Sequence, residues 1–192
     1  MAAIDARPCA LARACLPLTT TMAGLAAILD IGWNTSTLLV LLDGVIVYQR
    51  TLSDGGVRCL AESAGKSLQM APETVEQLLA AAGESADTNP LPEQIASPLR
   101  KHLDRVRSEL DAPFAYTARE YAPARLGRLL LVGGGAGIPG VAEHLASLLQ
   151  IDVTPVRPTD VVGACEHASG KSRLPAATAA VGLAQFGRGP KR

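Results

Sequence analysis

Aromatic residues are scarce in this 192-residue sequence, where Phe, Trp and Tyr together make up 3% although 48% of the residues are hydrophobic. The core is therefore predicted to consist of Leu, Val, Ile and Ala side chains, and the length suffices for one domain. An excess of either charge is also lacking, because 18 basic residues balance 18 acidic ones. Charge alone would not hold nucleic acid or an anionic membrane, so neither is expected as a partner.

Membrane-spanning and secretory segments are lacking as well. The most hydrophobic stretch, residues 25–47, is interrupted by two aspartates and an asparagine, so no apolar run reaches across a bilayer. The apolar stretch near the N-terminus contains an arginine and a proline, unlike the central region of a signal peptide. We therefore expect a soluble, cytoplasmic protein.

The four cysteines include no Cys-x-x-Cys pair, and reduced structural thiols are expected. Cys165 and His167 are close in sequence, but no second pair of metal ligands lies near them. His102 and His144 adjoin the inner stripes of predicted helices, and boundary or solvated positions are expected for both.

Short β-rich segments open the domain. Residues 25–31 form an apolar run that ends in Asp-Ile-Gly, and the runs 36–42 and 45–50 flank an Asp-Gly pair. An Asp-Gly pair between two such runs is a strong hairpin signal, so three successive antiparallel strands are predicted. Before them, residues 8–16 favour a helix that Pro17 would end.

Helical periodicity replaces the strand pattern after residue 56. Helices are predicted near residues 57–68, from Pro72 onward and over residues 95–110, with Pro98 in the first turn of the last or at a kink. Alternating elements then follow: a strand at 128–132, a helix at 140–150, a strand at 151–156 and a small-residue helix at 176–186. This order predicts an α/β fold, a mixed sheet covered by helices.

The first candidate site is the turn after residues 25–31. Gly32 allows a tight turn whose amides can point at a phosphate, and Thr35 adds a hydroxyl donor. Asp30 could hold a hydrated Mg²⁺ that bridges phosphate oxygens. An Asp-x-Gly turn beside a solvated aspartate is equally an ordinary structural feature. Trp33 either packs over the edge of the sheet, which we favour, or lines the cleft.

The second candidate site follows the strand at 128–132. Gly133, Gly134 and Gly135 lead through Ala136 towards the start of a helix. A strand, a glycine cluster and a helix N-terminus form a seat for an anion, because free amides and the helix dipole favour negative charge. A plain turn needs one or two glycines, so three in succession indicate close approach by another group.

These two segments together resemble the superfamily that unites actin, the heat-shock chaperone ATPases and FtsA. Asp-Ile-Gly with a threonine-bearing hairpin, followed later by Gly-Gly-Gly-Ala-Gly-Ile-Pro-Gly-Val, resembles its second half, and within it the PilM family of type IV pilus assembly most of all. Residues 10–13, 108–110 and 176–184 extend the likeness over almost the whole chain. The resemblance implies one ribonuclease-H-like, actin-fold lobe with a small helical inserted subdomain.

The resemblance also implies a division of the chain into four segments. Residues 1–56 would hold the connecting helix and the three opening strands, and residues 57–125 the inserted, mainly helical subdomain. Residues 126–187 would complete the lobe with the adenosine-loop part. Residues 188–192 would be a disordered tail.

Matched residue by residue, the resemblance gives a set of ligand-binding positions for ATP and Mg²⁺. Asp30, Gly32 and Thr35 correspond to the family's second phosphate loop, and the resemblance places Mg²⁺ at the Asp30 carboxylate. The glycine triplet corresponds to the family's adenosine loop. The candidate residues are Asp30, Gly32, Trp33, Asn34, Thr35, Gly133, Gly134, Gly135 and Ala136. The family's first phosphate hairpin would lie upstream of Met1, so an incomplete ATP cleft is expected. Leu79 stands where the family often has a lysine.

Catalysis by this chain alone is not expected, or at most a weak ATPase activity, because hydrolysing relatives keep a water-positioning residue where residues 6–17 contain no Gln, Asp or Glu. The resemblance implies a scaffold role in a type IV pilus or related secretion system. The expected partner is a membrane-anchored platform protein, bound through its cytoplasmic peptide and placing this chain at the inner membrane. Self-association is a further expectation.

Two alternatives remain beside this hypothesis. One is an FtsA-like or other actin-superfamily ATPase lobe. The other is a Rossmann-type dinucleotide-binding domain, since residues 135–140 spell Gly-x-Gly-x-x-Gly after a strand. The Gly-Lys-Ser triplets at 65–67 and 170–172 lack the first glycine of a P-loop and are set aside.

Overall fold

A computed structural model describes residues 4–20, 24–84, 91–162 and 174–187. Within these ranges five strands form one sheet in the order β3-β2-β1-β4-β5. The strands are β1 (Leu25–Ile31), β2 (Ser36–Leu42), β3 (Val45–Leu52), β4 (Leu126–Val132) and β5 (Asp152–Pro155). The helices are α1 (Arg7–Thr19), α2 (Val57–Leu68), α3 (Pro72–Glu84), α4 (Glu93–Glu120), α5 (Val141–Leu149), α6 (Pro158–Val162) and α7 (Thr178–Ala184).

Half of the sheet is antiparallel and half is parallel. β1, β2 and β3 pair as an antiparallel meander, whereas β1 pairs with β4 and β4 with β5 in parallel. The β2–β3 turn holds Asp43 at φ 51° and Gly44 at φ 78°. Positive φ at both central residues is the geometry that the right-handed twist of a hairpin favours, which is why Asp-Gly marks it. The predicted α/β fold with three opening antiparallel strands is confirmed.

Each face of the sheet carries its own layer of helices. Alternate side chains of β1, from Leu25 to Ile31, pack with α2, α3, α4 and α5 on one face. Ile28 points to the other face, where it meets Leu11 and Cys15 of α1. Fully burying one such aliphatic side chain contributes about 1.5–3 kcal/mol. Among the described residues the fully buried core is aliphatic, and Tyr48, Phe114 and Tyr121 pack against it partly buried. Burial also raises the pKa of the Cys15 thiol to about 12, so the group stays protonated.

The expectation that Pro17 ends the first helix is wrong, and of the two positions expected for Pro98 the first turn is excluded, while a kink is not tested. α1 continues past Pro17 to Thr19, because a proline in the last turn removes only one backbone hydrogen bond and the Thr20 N–H still bonds to the Leu16 carbonyl at 3.1 Å. Pro98 is the sixth residue of α4, beyond its first turn, and α4 includes a second proline, Pro113.

Several expectations stay predictions. α2, α3 and α4 share one core cluster with the sheet, and the four-segment division of the chain stays a prediction. The tail 188–192, the triplet 170–172 and the Cys165–His167 pair lie outside the described residues. None of the described helices combines the length and apolar character that crossing a membrane requires.

The contact between α1 and α7 makes a direct test of this packing. A Cβ built on Gly182 would lie 1.9 Å from the Ala10 carbonyl oxygen. We expect Gly182→Ala to destabilise the protein by about 1–3 kcal/mol, because separating the two helices outweighs the gain of about 1 kcal/mol in helix propensity. Thermal unfolding followed by circular dichroism measures the effect.

Gly137→Ala is the matched control, since its added Cβ would meet Pro175 Cδ at an ordinary 3.7 Å. A Gly182→Ala protein that melts at or above the wild-type temperature would contradict the described packing of α7 on α1.

Candidate functional site

The two glycine-bearing turns lie side by side at one end of the sheet. β1 and β4 are parallel neighbours, and Asp30 is in register with Val132. The chain therefore leaves both strands at the same end of the sheet. Ligands of α/β proteins commonly bind in a crevice at the carboxyl ends of parallel strands. The Gly32 turn and the glycine triplet, which the sequence indicated as two candidate sites, are thereby brought together.

The turn after β1 is closed by its own backbone and by α2. The Gly32 N–H donates to the Thr35 carbonyl at 3.1 Å, while the carbonyls of Gly32 and Trp33 accept the N–H groups of Val57 and Arg58 at 3.0 and 2.9 Å. The first amides of α2 are thus satisfied by this turn, and they are not available as an anion site.

The back of this turn is fixed by a buried polar contact. The Ser36 hydroxyl donates to the Gly55 carbonyl at 2.7 Å, and His102 Nε2 lies 3.3 Å from the same oxygen. His102 is 6% exposed, so the expectation of a boundary or solvated position is wrong for it. His144 is half-buried and 3.0 Å from Asp104, which fits the boundary position expected.

The three glycines of the triplet serve different purposes. Gly133 has φ 87°, and a Cβ there would lie 2.5 Å from Asp30 Oδ1. A Cβ on Gly135 would lie 2.2 Å from Ile31 Cγ2, whereas one on Gly134 would meet nothing within 4 Å. Two of the glycines are therefore required by the protein's own packing on β1, and the third faces open space.

A pocket of about 160 Å³ opens between the two turns. Its lining is apolar apart from backbone groups and one carboxylate, and consists of Gly32, Trp33, Val57, Glu76, Leu79, Ala80, Gly134, Gly135 and Ile138. In the part of the chain that the structure describes, the N–H groups of Trp33, Asn34, Gly134 and Gly135 have no backbone acceptor. The pocket thus combines apolar walls with lining residues, Trp33, Gly134 and Gly135, whose N–H groups have no backbone acceptor among the described residues.

Asp30 faces the opposite side of the sheet from this pocket, towards α1. Its carboxylate accepts two hydrogen bonds from Arg7, with Nε to Oδ2 at 2.6 Å and an Nη to Oδ1 at 3.0 Å. The Asp30 side chain is 6% exposed and that of Arg7 is 58% exposed. The hydrogen bond to Asp30 raises the pKa of the Arg7 guanidinium above its ordinary value, so Arg7 is charged at neutral pH.

The described residues do not fit direct coordination of Mg²⁺ by Asp30, and the hydrated Mg²⁺ that the sequence suggested there stays a prediction. Both carboxylate oxygens already accept bonds from Arg7. No group of three or more His, Cys, Asp or Glu side chains that could hold a metal occurs among the described residues. Mg²⁺ takes hard oxygen ligands at about 2.0–2.1 Å, so direct binding at Asp30 would require Arg7 to withdraw.

The predicted site residues separate into three groups. Gly32, Trp33, Gly134 and Gly135 line the pocket, and Trp33 takes the cleft-lining position rather than the sheet-edge packing that the sequence favoured. Asn34 and Thr35 are exposed on the loop beside it. Ala136 is buried in the core. Asp30 lies on the face of the sheet opposite the pocket, where it contacts Arg7 and is covered by Gly133.

Two polar residues of the region were missed from the sequence. Arg7 lies 23 positions before Asp30 on another element, and no spacing rule connects them. Glu76 is one of several charged residues on α3, and only its place in the lining distinguishes it. Leu79, noted in place of a lysine, forms a buried apolar wall of the pocket.

The dinucleotide-binding alternative fails on topology. Residues Gly134–Gly137 form a 3₁₀ turn after β4, inside a sheet whose other half is an antiparallel meander, whereas a doubly wound cofactor domain has a mostly parallel sheet. Gly65-Lys66-Ser67 lies in the last turns of α2, whereas a P-loop lies at a helix N-terminus.

Comparison with known proteins identifies one family over nearly the whole chain. The family described as type IV pilus assembly protein PilM matches residues 5–185. No curated protein sequence matches significantly.

Solved structures with the same fold give the second comparison. A PilM–PilN type IV pilus biogenesis complex superposes with a TM-score of 0.78 at 21% identity, covering 98% of this chain and 54% of that one. The ethanolamine utilization protein EutJ of Carboxydothermus hydrogenoformans gives 0.66 at 18%, with 94% and 53% covered. MreB 5 of Spiroplasma citri bound to AMPPNP gives 0.66 at 14%, with 94% and 57% covered. These identities show the fold alone, and the chain spans about half the length of each structure.

The buried imidazole behind the Gly32 turn predicts a pH dependence of stability. Burial lowers the pKa of His102 below its ordinary value of 6.5, against the opposing bond to Gly55, and nearby Arg105 lowers it further. Just below pH 6.5 the unfolded chain therefore binds more protons than the folded one, so the free energy of unfolding falls as the pH falls. We expect His102→Gln to flatten this decline in urea denaturation between about pH 7.5 and pH 5.

His144→Gln serves as the control, because His144 pairs with the half-exposed Asp104 and is not behind the turn. Equal slopes in wild type and His102→Gln would contradict the assignment of the effect to His102.

Proposed function

The chain belongs to the PilM family of type IV pilus assembly proteins, and on that premise we propose that it is a nucleotide-binding scaffold component of type IV pilus or related secretion-system assembly. The single observation that carries the nucleotide part is the pocket between the two turns. A fold that is shared with MreB 5, whose structure holds AMPPNP, supports ATP as the ligand class.

The pocket chemistry supports a particular placement of ATP. Val57, Leu79 and Ile138 give apolar walls for a purine ring, and Trp33 adds an aromatic face. The free amides of Gly134 and Gly135 would donate to ribose or phosphate oxygens without side-chain interference. Glu76 would accept hydrogen bonds from ribose hydroxyls, and its negative charge would keep the phosphates away from that wall.

The phosphates would then extend past the carboxyl ends of β4 and β1, towards Gly32. The amides of Trp33 and Asn34 are free there, and successive free amides in a turn make a concave anion site. Mg²⁺ would accompany ATP in solution, but Asp30 does not offer it a vacant carboxylate, and Mg²⁺ at Asp30 stays a prediction.

Hydrolysis is not part of the proposed role, or occurs at most weakly. An efficient ATPase needs an oriented water and stabilisation of transferred charge. Glu76 is the one titratable side chain that lines the described pocket, and α1 carries no Gln, Asp or Glu from Arg7 to Pro17. An actin-superfamily ATPase lobe is the second candidate, supported by the likeness to MreB 5, and multiple turnovers of ATP would favour it.

The assembly role rests on the family and on one structural relative. The similar PilM structure is a complex with PilN. We propose that this chain likewise works with a membrane-anchored pilus protein through a cytoplasmic peptide, and so acts at the cytoplasmic face of the inner membrane. Self-association belongs to the same proposal.

Filling the pocket tests the nucleotide proposal. A side chain at Gly134 would enter open space, since a Cβ there meets nothing within 4 Å. We expect ATP to change the fluorescence of Trp33, the single tryptophan, in the wild type. In Gly134→Leu the response should disappear while thermal stability is retained, because the leucine occupies the ligand's volume.

Gly134→Ala should give an intermediate affinity, and Gly137→Ala, in the same 3₁₀ turn but outside the lining, should bind as the wild type does. Calorimetry provides a second readout. Unaltered ATP affinity in Gly134→Leu would show that ATP does not bind in this pocket. Absence of ATP binding by the wild type in both assays would refute the nucleotide role.

A peptide-binding experiment tests the assembly role separately. The immobilised chain should retain the cytoplasmic peptide of a membrane-anchored pilus protein from the same organism and release a scrambled peptide of equal composition. Retention by a full-length PilM relative, without retention by this chain, would show that the described lobe does not contain the partner site.

A further inference from the structure

The Arg7–Asp30 pair is the strongest charged contact at the site end of the sheet. Arg7 uses Nε and one Nη on the two oxygens of Asp30, at 2.6 and 3.0 Å. A guanidinium fork on a carboxylate is a strong, geometrically specific ion pair. Arg13, the other arginine of α1, pairs with Asp5 at 2.8 Å instead. Of the two arginines of α1, Arg7 is therefore the one that pairs with Asp30.

Burial makes this pair different from an ordinary surface ion pair. The Asp30 side chain is 6% exposed, and an unpaired carboxylate in that position would be strongly destabilising. Gly133 closes over it, since a Cβ there would lie 2.5 Å from Oδ1. The carboxylate is thus enclosed between α1 and the first glycine of the triplet, and Arg7 compensates its charge.

The other half of the guanidinium is free to meet a ligand. The Arg7 side chain is 58% exposed, and a guanidinium has five N–H donors, of which Asp30 takes two. Arg7 stands in the first turn of α1 and reaches Asp30 near the end of β1, on the opposite face of the sheet from the pocket. Phosphates that extend past the end of β1 would meet it there. The remaining donors match phosphate oxygens in number and geometry.

We propose that Arg7 is a phosphate-positioning residue: its guanidinium, fixed by Asp30, supplies the positive charge that a metal ion would otherwise supply at this position. The inference rests on the proposed nucleotide binding. It replaces the expectation of Mg²⁺ at Asp30 with a cation built into the chain. Binding of a nucleoside triphosphate should then depend little on Mg²⁺ and strongly on Arg7.

The test compares ATP with adenosine, each with Mg²⁺ and with EDTA, by calorimetry. In the wild type, Kd for ATP should change less than about threefold when Mg²⁺ is removed. Arg7→Gln should raise Kd for ATP in EDTA by about tenfold or more and leave Kd for adenosine unchanged, because only ATP carries phosphates. Arg128→Gln is the matched control, since Arg128 pairs with Asp152 at 2.6 Å away from the glycine turns.

Substitution of Asp30 discriminates between the two cations by its dependence on Mg²⁺. Asp30→Asn keeps an amide oxygen that can still accept a hydrogen bond from Arg7, so ATP affinity should change by the same factor in Mg²⁺ and in EDTA. A magnesium site at Asp30 would instead lose affinity in Mg²⁺. Loss of that kind, or a strict need for Mg²⁺ in the wild type, would overturn the inference.

Two further outcomes keep the test decisive. Arg7→Gln leaves the buried Asp30 unpaired and could unfold the protein, so the double variant Arg7→Gln/Asp30→Asn removes both charges together. It should bind adenosine normally and ATP weakly, and wild-type ATP affinity in it would overturn the role of Arg7. If the wild type binds neither ligand, the nucleotide proposal itself fails, which is distinguishable from failure of the inference alone.

Discussion

The parallel pairing of β1 with β4 is the constraint on which the site depends. It joins an antiparallel meander to a parallel βαβ unit. Because the two strands are parallel, the loops that follow them lie at the same end of the sheet. The Gly32 turn and the glycine triplet, separated widely in sequence, become the two walls of one pocket. Without this pairing neither turn would differ from an ordinary loop, because each supplies only part of the lining.

Close packing between the glycine triplet and β1 gives the three glycines different roles. Gly133 and Gly135 allow the second turn to rest on Asp30 and Ile31, and this leaves Gly134 to face the open volume. The same contact encloses the Asp30 carboxylate, whose charge Arg7 compensates from the other face of the sheet. A buried charge with a half-exposed partner thus lies on the opposite face of the sheet from a largely apolar pocket, in which Glu76 is the one charged lining residue among those described.

Features determined locally could be predicted from the sequence, and those determined by distant contacts could not. The hairpin followed from Asp43-Gly44, and the two candidate turns from glycines at strand ends. The Arg7–Asp30 pair could not be predicted, because no local rule links a helix residue to a strand residue 23 positions later. Tertiary packing likewise buried His102 against the Gly55 carbonyl, 47 positions away in sequence.

The most direct measurement of the central claim is a titration of the ¹⁵N-labelled protein with ATP, followed by the amide resonances of both turns. We expect the amide resonances of Trp33 and Asn34 and those of Gly134 and Gly135 to shift together as ATP is added, with a single midpoint. Movement of one turn alone, or changes confined to other parts of the sheet, would contradict a shared phosphate-binding pocket.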